Sequence, residues 1–198
     1  MMENFVFIIF LLLCLGLMVS AFRRRSKFFR PRVFRFIIVV IAVAFYTLWF
    51  VKASSDRYIE NSLTLQLINK LPQPVDFFVI TVEKIKQEED QFVLKHAGKI
   101  RPDHYRMEYL QMKNSSEYWI AGYIGRKNLV YFSQHAVPNK NMDQIVEIQN
   151  YINQSVRLSR EATKLVEQEL DGNLRISVWI SLGLLLLFLN IVQMIRRK

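Results

Sequence analysis

Three apolar runs constrain this chain before anything else does. Residues 5–22, 36–51 and 176–195 hold 18, 16 and 20 residues, and none of the runs contains Asp, Glu, Lys, Arg or His. A bilayer core of about 30 Å takes roughly 20 helical residues, with about 17–25 the usual range. The first and third runs have that length. The second reaches it if Val33 and Phe34 join it and Arg35 snorkels to the interface. The expectation is a membrane α+β protein with three transmembrane helices.

Charge is placed around those runs. The net charge is +10, but residues 53–173 carry 15 Lys/Arg against 16 Asp/Glu and are close to neutral. The excess sits in Arg23, Arg24, Arg25, Lys27, Arg30, Arg32 and Arg35, at Lys52 and Arg175, and in Arg196, Arg197 and Lys198. A nucleic-acid binder carries its basic patch on a folded domain, so nucleic acid is not an expected partner. Anionic headgroups at the cytoplasmic face are.

The same charges set the topology. Short loops rich in Lys/Arg stay cytoplasmic, so Arg23, Arg24, Arg25, Lys27, Arg30, Arg32 and Arg35 read as a topology-determining cytoplasmic loop. The N-terminus then faces out, residues 53–173 are extracytoplasmic, and the basic tail ends inside. This is a multi-pass arrangement in a plasma (inner) membrane. Tyr46, Trp49 and Trp179 fall near the outer ends of their spans, where interfacial aromatics gather. Val19-Ser20-Ala21 resembles a signal-peptidase site, but a signal peptide carries its positive charge before the apolar region, and here it follows. The single cysteine, Cys14, excludes an intramolecular disulfide.

The chain thus divides into 1–52 (two spans and the basic loop), 53–173 (an extracytoplasmic α+β domain) and 174–198 (the third span and tail). Ile59, Leu63, Leu67 and Leu71 recur at a spacing of four and predict a helix leaving the membrane; Leu63, Leu65 and Leu67 would also suit a strand. Pro72 and Pro74 end it. Strands are predicted at 75–86, 91–96, 104–112, 118–124 and 129–134, the last two joined as a hairpin through Gly125-Arg126-Lys127-Asn128. Short polar connections suggest one antiparallel meander, with one face wetter. Asn141-Met142-Asp143-Gln144 reads as a helix start. Ile145, Ile148, Ile152, Val156, Ala162, Val166 and Leu170 continue an approximate helical stripe for about 30 residues, or roughly 45 Å. Gly172 either breaks that helix or lets it pass into the last span. The expected domain is a meander bracketed by two helices.

Sites for chemistry are sparse. His96, His104 and His135 form no metal-ligand spacing, and Asp103-His104 would point to opposite faces of a strand. Glu88-Glu89-Asp90 reads as a solvated turn rather than a cation site, and Gly122 to Gly125 lacks the lysine of a phosphate loop. No cofactor and no metal are expected, and no enzyme activity. The spans contain no carboxylate or histidine, which pumps usually place mid-membrane. Asn190, with Ser177, Ser181 and Gly183, offers a helix–helix contact. Asn114-Ser-Ser116 and Asn153-Gln-Ser155 match the N-glycosylation pattern, which has meaning only in some organisms. The residues fit a non-catalytic integral membrane scaffold or accessory subunit of a larger envelope complex, for secretion, envelope assembly or division. Its partners would be other membrane proteins. The alternatives are an extracytoplasmic sensor or ligand-binding module relaying through its stalk helices, and an enzyme in which at least two histidines converge.

Overall fold

The computed structural model describes residues 2–21, 31–55, 62–83, 91–112 and 115–196. Two compact units emerge, Met1–Arg57 with Leu170–Lys198, and Tyr58–Glu169. The basic residues Arg23, Arg24, Arg25, Lys27 and Arg30, the run Glu88 to Asp90, Ile59 and Asn114 lie outside the described residues.

In the second unit the elements run β1 (Ser62–Asn69), β2 (Val75–Glu83), β3 (Gln91–Ile100), β4 (His104–Gln111), β5 (Ser115–Ile124), β6 (Asn128–Ala136) and β7 (Gln144–Ile148). The expected first helix is the strand β1. Its period of two wins over the period of four: Leu63, Leu65, Leu67 and Asn69 are buried, and the residues between them are half-buried. The expected meander is corrected as well. The strands form two sheets, ordered β4-β1-β7 and β3-β2-β5-β6. Among these strands neighbours pair antiparallel except β1 and β7, which pair parallel, and a single parallel bridge joins Phe132 to Asn153. With β1 available as a strand, β4 pairs with it rather than with β3, and β5 takes the open side of β2. The β5–β6 hairpin turns at Gly125, whose φ of 72° is one that glycine adopts without strain.

The sheets pack face to face. Leu63, Leu65 and Leu67 meet Val75, Phe77, Val79, Tyr118 and Ile120 in one buried cluster. The opposite face of β2 and β5 buries Phe78, Ile80, Trp119, Ala121 and Tyr123. Toward that face Tyr123 donates its hydroxyl to Thr163 Oγ1 (3.2 Å) on α3 (Val156–Arg196), where Ala162 and Val166 are buried too. A strand covered on both faces is apolar almost throughout, as β2 and β5 are.

The long helix expected from Asn141 onward starts later. β7 occupies Gln144–Ile148, with Val146 and Ile148 inward beside β1. The real cap is Ser155, whose Oγ accepts from Leu158 N (3.3 Å), while Asn153 Oδ1 accepts from Ser155 N (3.2 Å). From there α3 runs 41 residues without a break at Gly172.

The other unit holds α1 (Met2–Ala21), α2 (Pro31–Ser55) and the rest of α3. Among the described residues two helices are long and apolar enough to cross a membrane, not the three expected: Val33–Lys52 and a window within Val156–Ile195. In α1 the apolar stretch among the described residues is Asn4–Met18, which is shorter.

One polar side chain organises the turns of the second unit. Asn69 Nδ2 donates to Gln73 O (3.0 Å) and Ile100 O (2.9 Å), and its Oδ1 accepts from Leu71 N (3.0 Å). Asn69→Ala strands these buried groups, at about 1–3 kcal/mol for each one left unsatisfied. The variant is expected to lose roughly 2–4 kcal/mol, read as faster hydrogen exchange of the 62–83 amides in the detergent-solubilised protein.

Candidate interaction surface

Residues directly opposite on paired strands share a face. Tyr105 pairs with Ile68, Met107 with Gln66, and Tyr109 with Thr64; across β1, Ile145 pairs with Gln66 and Glu147 with Ile68. Leu63, Leu65 and Leu67 point into the core, so this second set points away from it. Tyr105 is 61%, Met107 52%, Tyr109 46% and Ile145 65% exposed. Together they leave on the order of 400 Å² of largely apolar surface uncovered, a size at which patches are often functional. Glu147 is the one charged side chain in these pairs, and its Oε2 accepts from Gln149 Nε2 (3.1 Å).

The charged residues of β4 fall on the inward set, at the sheet's edge. Lys95 Nζ on β3 pairs with Glu108 Oε2 (3.1 Å) and donates to Tyr109 O (2.7 Å). Arg106 Nη1 donates to Ala97 O. Side chains, not backbone, join the edges of the two sheets here. They also occupy main-chain acceptors that an added strand would need.

The three histidines do not converge. His96 on β3 donates Nε2 to Asp76 Oδ1 (2.7 Å) and stacks on Phe78 at 4.4 Å. His135 lies on β6, three strand spacings or roughly 14 Å away across the sheet. His135 Nε2 and Ser133 Oγ share a hydrogen bond (2.8 Å), and the ring stacks on Tyr118 at 5.1 Å. Ser133 is buried and His135 half-buried. His104, on the other sheet, donates Nδ1 to Pro102 O (2.8 Å), and Asp103 pairs with Lys70 (3.0 Å) rather than with its neighbour. Among the described residues no group of three or more His, Cys, Asp or Glu is placed to hold a metal.

In the helical unit Ser177 and Ser181 are exposed, with Ser181 Oγ donating to Ser177 O (2.8 Å) in its own helix. Gly183 is buried against the Tyr46 hydroxyl, where a Cβ would collide with it. Asn190 is buried between α1 and α2, and Arg35, expected to snorkel, is buried with it. Sequence reasoning did not find the Tyr105–Met107–Tyr109 face. Its signal, apolar residues alternating with charge along β4, is visible, but only the pairing with β1 says which set faces out.

Comparisons with family models, with curated proteins and with solved structures find no match to this chain.

Burial holds the His135 imidazole below its ordinary pKa of 6.5. The unfolded chain therefore takes up this proton at higher pH than the fold does, and stability is lost as pH falls from about 6.5 through the folded value. His135→Gln should flatten that part of the pH profile, measured as the melting temperature of wild type and variant between pH 7.5 and 5. At the alkaline end burial pushes Tyr118 up to about 12 from 10.0, so its share of stability is complete below pH 10 and lost as pH rises through about 12.

Proposed function

We propose that the chain is a non-catalytic integral membrane scaffold or accessory subunit of a larger envelope complex, and that it binds another membrane protein through the outer face of β4-β1-β7. The exposed Tyr105, Met107, Tyr109 and Ile145 carry this reading. Tyrosine offers large contact area with little side-chain entropy to lose. The space between the sheets is filled by buried leucine, valine, isoleucine and aromatic side chains, which favours a contact on the surface over a ligand in the interior.

The proposal includes the membrane topology. α2 and α3 cross the bilayer, and α1 crosses with them. α1 packs Phe7 and Phe10 against Trp179 and Leu13 against Asn190, so it runs parallel to α3. α2 places Tyr46 by Gly183 and Arg35 by Asn190, so it runs the other way. Such an up-down-up bundle suits three alternating spans. The basic segment containing Arg23, Arg24, Arg25, Lys27, Arg30 and Arg32 then lies at anionic cytoplasmic headgroups, and residues 53–173 lie outside.

The test is mild cross-linking in native membranes, followed by pull-down on the C-terminal tail and mass spectrometry. Wild type is expected to bring down a stoichiometric membrane partner. The double variant Tyr105→Ser/Tyr109→Ser should lose it, with affinity reduced at least about thirtyfold if either tyrosine is a binding hot spot. Elution of the wild type alone at every concentration tried would sink the scaffold reading, and full capture by the double variant would move the contact elsewhere.

A further inference from the structure

The helical unit contains a polar centre with a role the basic segment does not suggest. Asn190 is 1% exposed and Arg35 4% exposed, inside a bundle whose apolar cluster includes Ile9, Leu13, Ile38, Val39, Ala42, Tyr46 and Leu187. The Asn190 amide uses both donor hydrogens. One goes back to Leu186 O (2.9 Å) in its own helix, and the other crosses to Leu13 O (3.2 Å) on α1. The intrahelical bond fixes the amide plane, and the crossing bond is thereby aimed. Oδ1 lies against Gly16, where an added Cβ would stand 3.1 Å from it. A Cβ there would push the amide by a few tenths of an ångström, and Oδ1 has no hydrogen-bond partner among the described residues. Arg35 Nη2 donates to the main-chain oxygen of Asn190 (3.0 Å). A carbonyl has two lone pairs, so it can take this bond as well as its helical one.

We infer that Asn190 fixes the register of α1 in the bundle and adds to its hold there, and that Arg35 is a positioning residue that fixes the Asn190 turn so the amide reaches Leu13. Arg35 thus works inside the bundle. Polar groups inside an apolar bundle persist where every bond they make is internal, and interhelical amide bonds of this kind join transmembrane helices. Phe7 and Phe10 place α1 against Trp179 of α3, but ring contacts are less directional than a hydrogen bond and tolerate small shifts along the helix. One amide bonded at one carbonyl specifies a single register, as a buried asparagine does in a coiled coil. The inference does not depend on what binds the outer sheet face.

The experiment uses the full chain with a protease site inserted between α1 and α2. After cleavage in mild detergent, the α1 fragment of the wild type should stay with the remainder through affinity purification. Asn190→Leu and Arg35→Leu should lower the ratio of bound to free α1 by roughly three- to twentyfold, the range interhelical hydrogen bonds give. Arg35→Lys should restore retention, because an ammonium can reach the same carbonyl. A purely apolar filler role would not be rescued that way. Gly16→Leu, which drives Oδ1 away without removing any polar group, should release α1 too and stands in if Asn190→Leu fails to accumulate. Equal retention of α1 in the Leu variants, release of α1 from the wild type, or failure of Arg35→Lys to rescue would each overturn the assignment.

Discussion

The two-residue alternation of β1 decides what each layer of the folded unit can do. It sends Leu63, Leu65 and Leu67 into the core shared with the second sheet, and it brings Asn69 in behind them to bond two turns. It supplies two pairing edges, one taken by β4 and the other by β7. Register does the rest. A slip of one residue would turn every leucine outward, so the positions of Tyr105, Met107 and Tyr109 are as tightly specified as the core. The exposed face and the buried core are two consequences of one register.

Much of this was legible. The uncharged runs mark the helices of the first unit, the hairpin at Gly125 was readable from its turn residues, and the strands from β2 to β6 stand close to their expected places. β1 was not, because the same leucines satisfy both periods: 63 and 67 fit a helix, 63, 65 and 67 a strand. Its partner β4 settles the choice from more than 30 residues away in sequence, through pairs such as Leu65 with Glu108. β7 was lost for a related reason. Asn141 to Gln144 offers the chemistry of a helix start, but β7 finds the free edge of β1, and the cap that works is Ser155.

The sites were harder to read than the elements. Along β4 the charged Arg106 and Glu108 look like the solvent side of an edge strand. They face inward instead because they sit at the rim, where Ala97 O and Lys95 satisfy them. Arg35 and Asn190 stand 155 residues apart, and no local pattern links a basic residue at the start of one apolar helix to an amide near the end of another. Both cases are tertiary pairings that override the usual reading of charge.

The distribution of guarded and unguarded surface narrows how a partner can attach. The free edges of β3 and β4 are crossed by Arg106 and Lys95. The edge of β6 is bonded to the segment after β7, with Phe132 N donating to Ile152 O (2.7 Å) and Gln154 N donating to Phe132 O (3.1 Å). Strand addition at these edges would first have to break bonds that exist. Covering the outer face of β4-β1-β7 breaks none, and its main cost is desolvating Thr64, Gln66 and Glu147. Of these only Glu147 is charged, and among the described residues no cation pairs with it, its bond being to the Gln149 amide. Buried beneath an apolar partner it would be an unpaired carboxylate, at a cost of several kcal/mol. A partner of the proposed kind therefore meets Glu147 with a cation or leaves that corner of the interface wet.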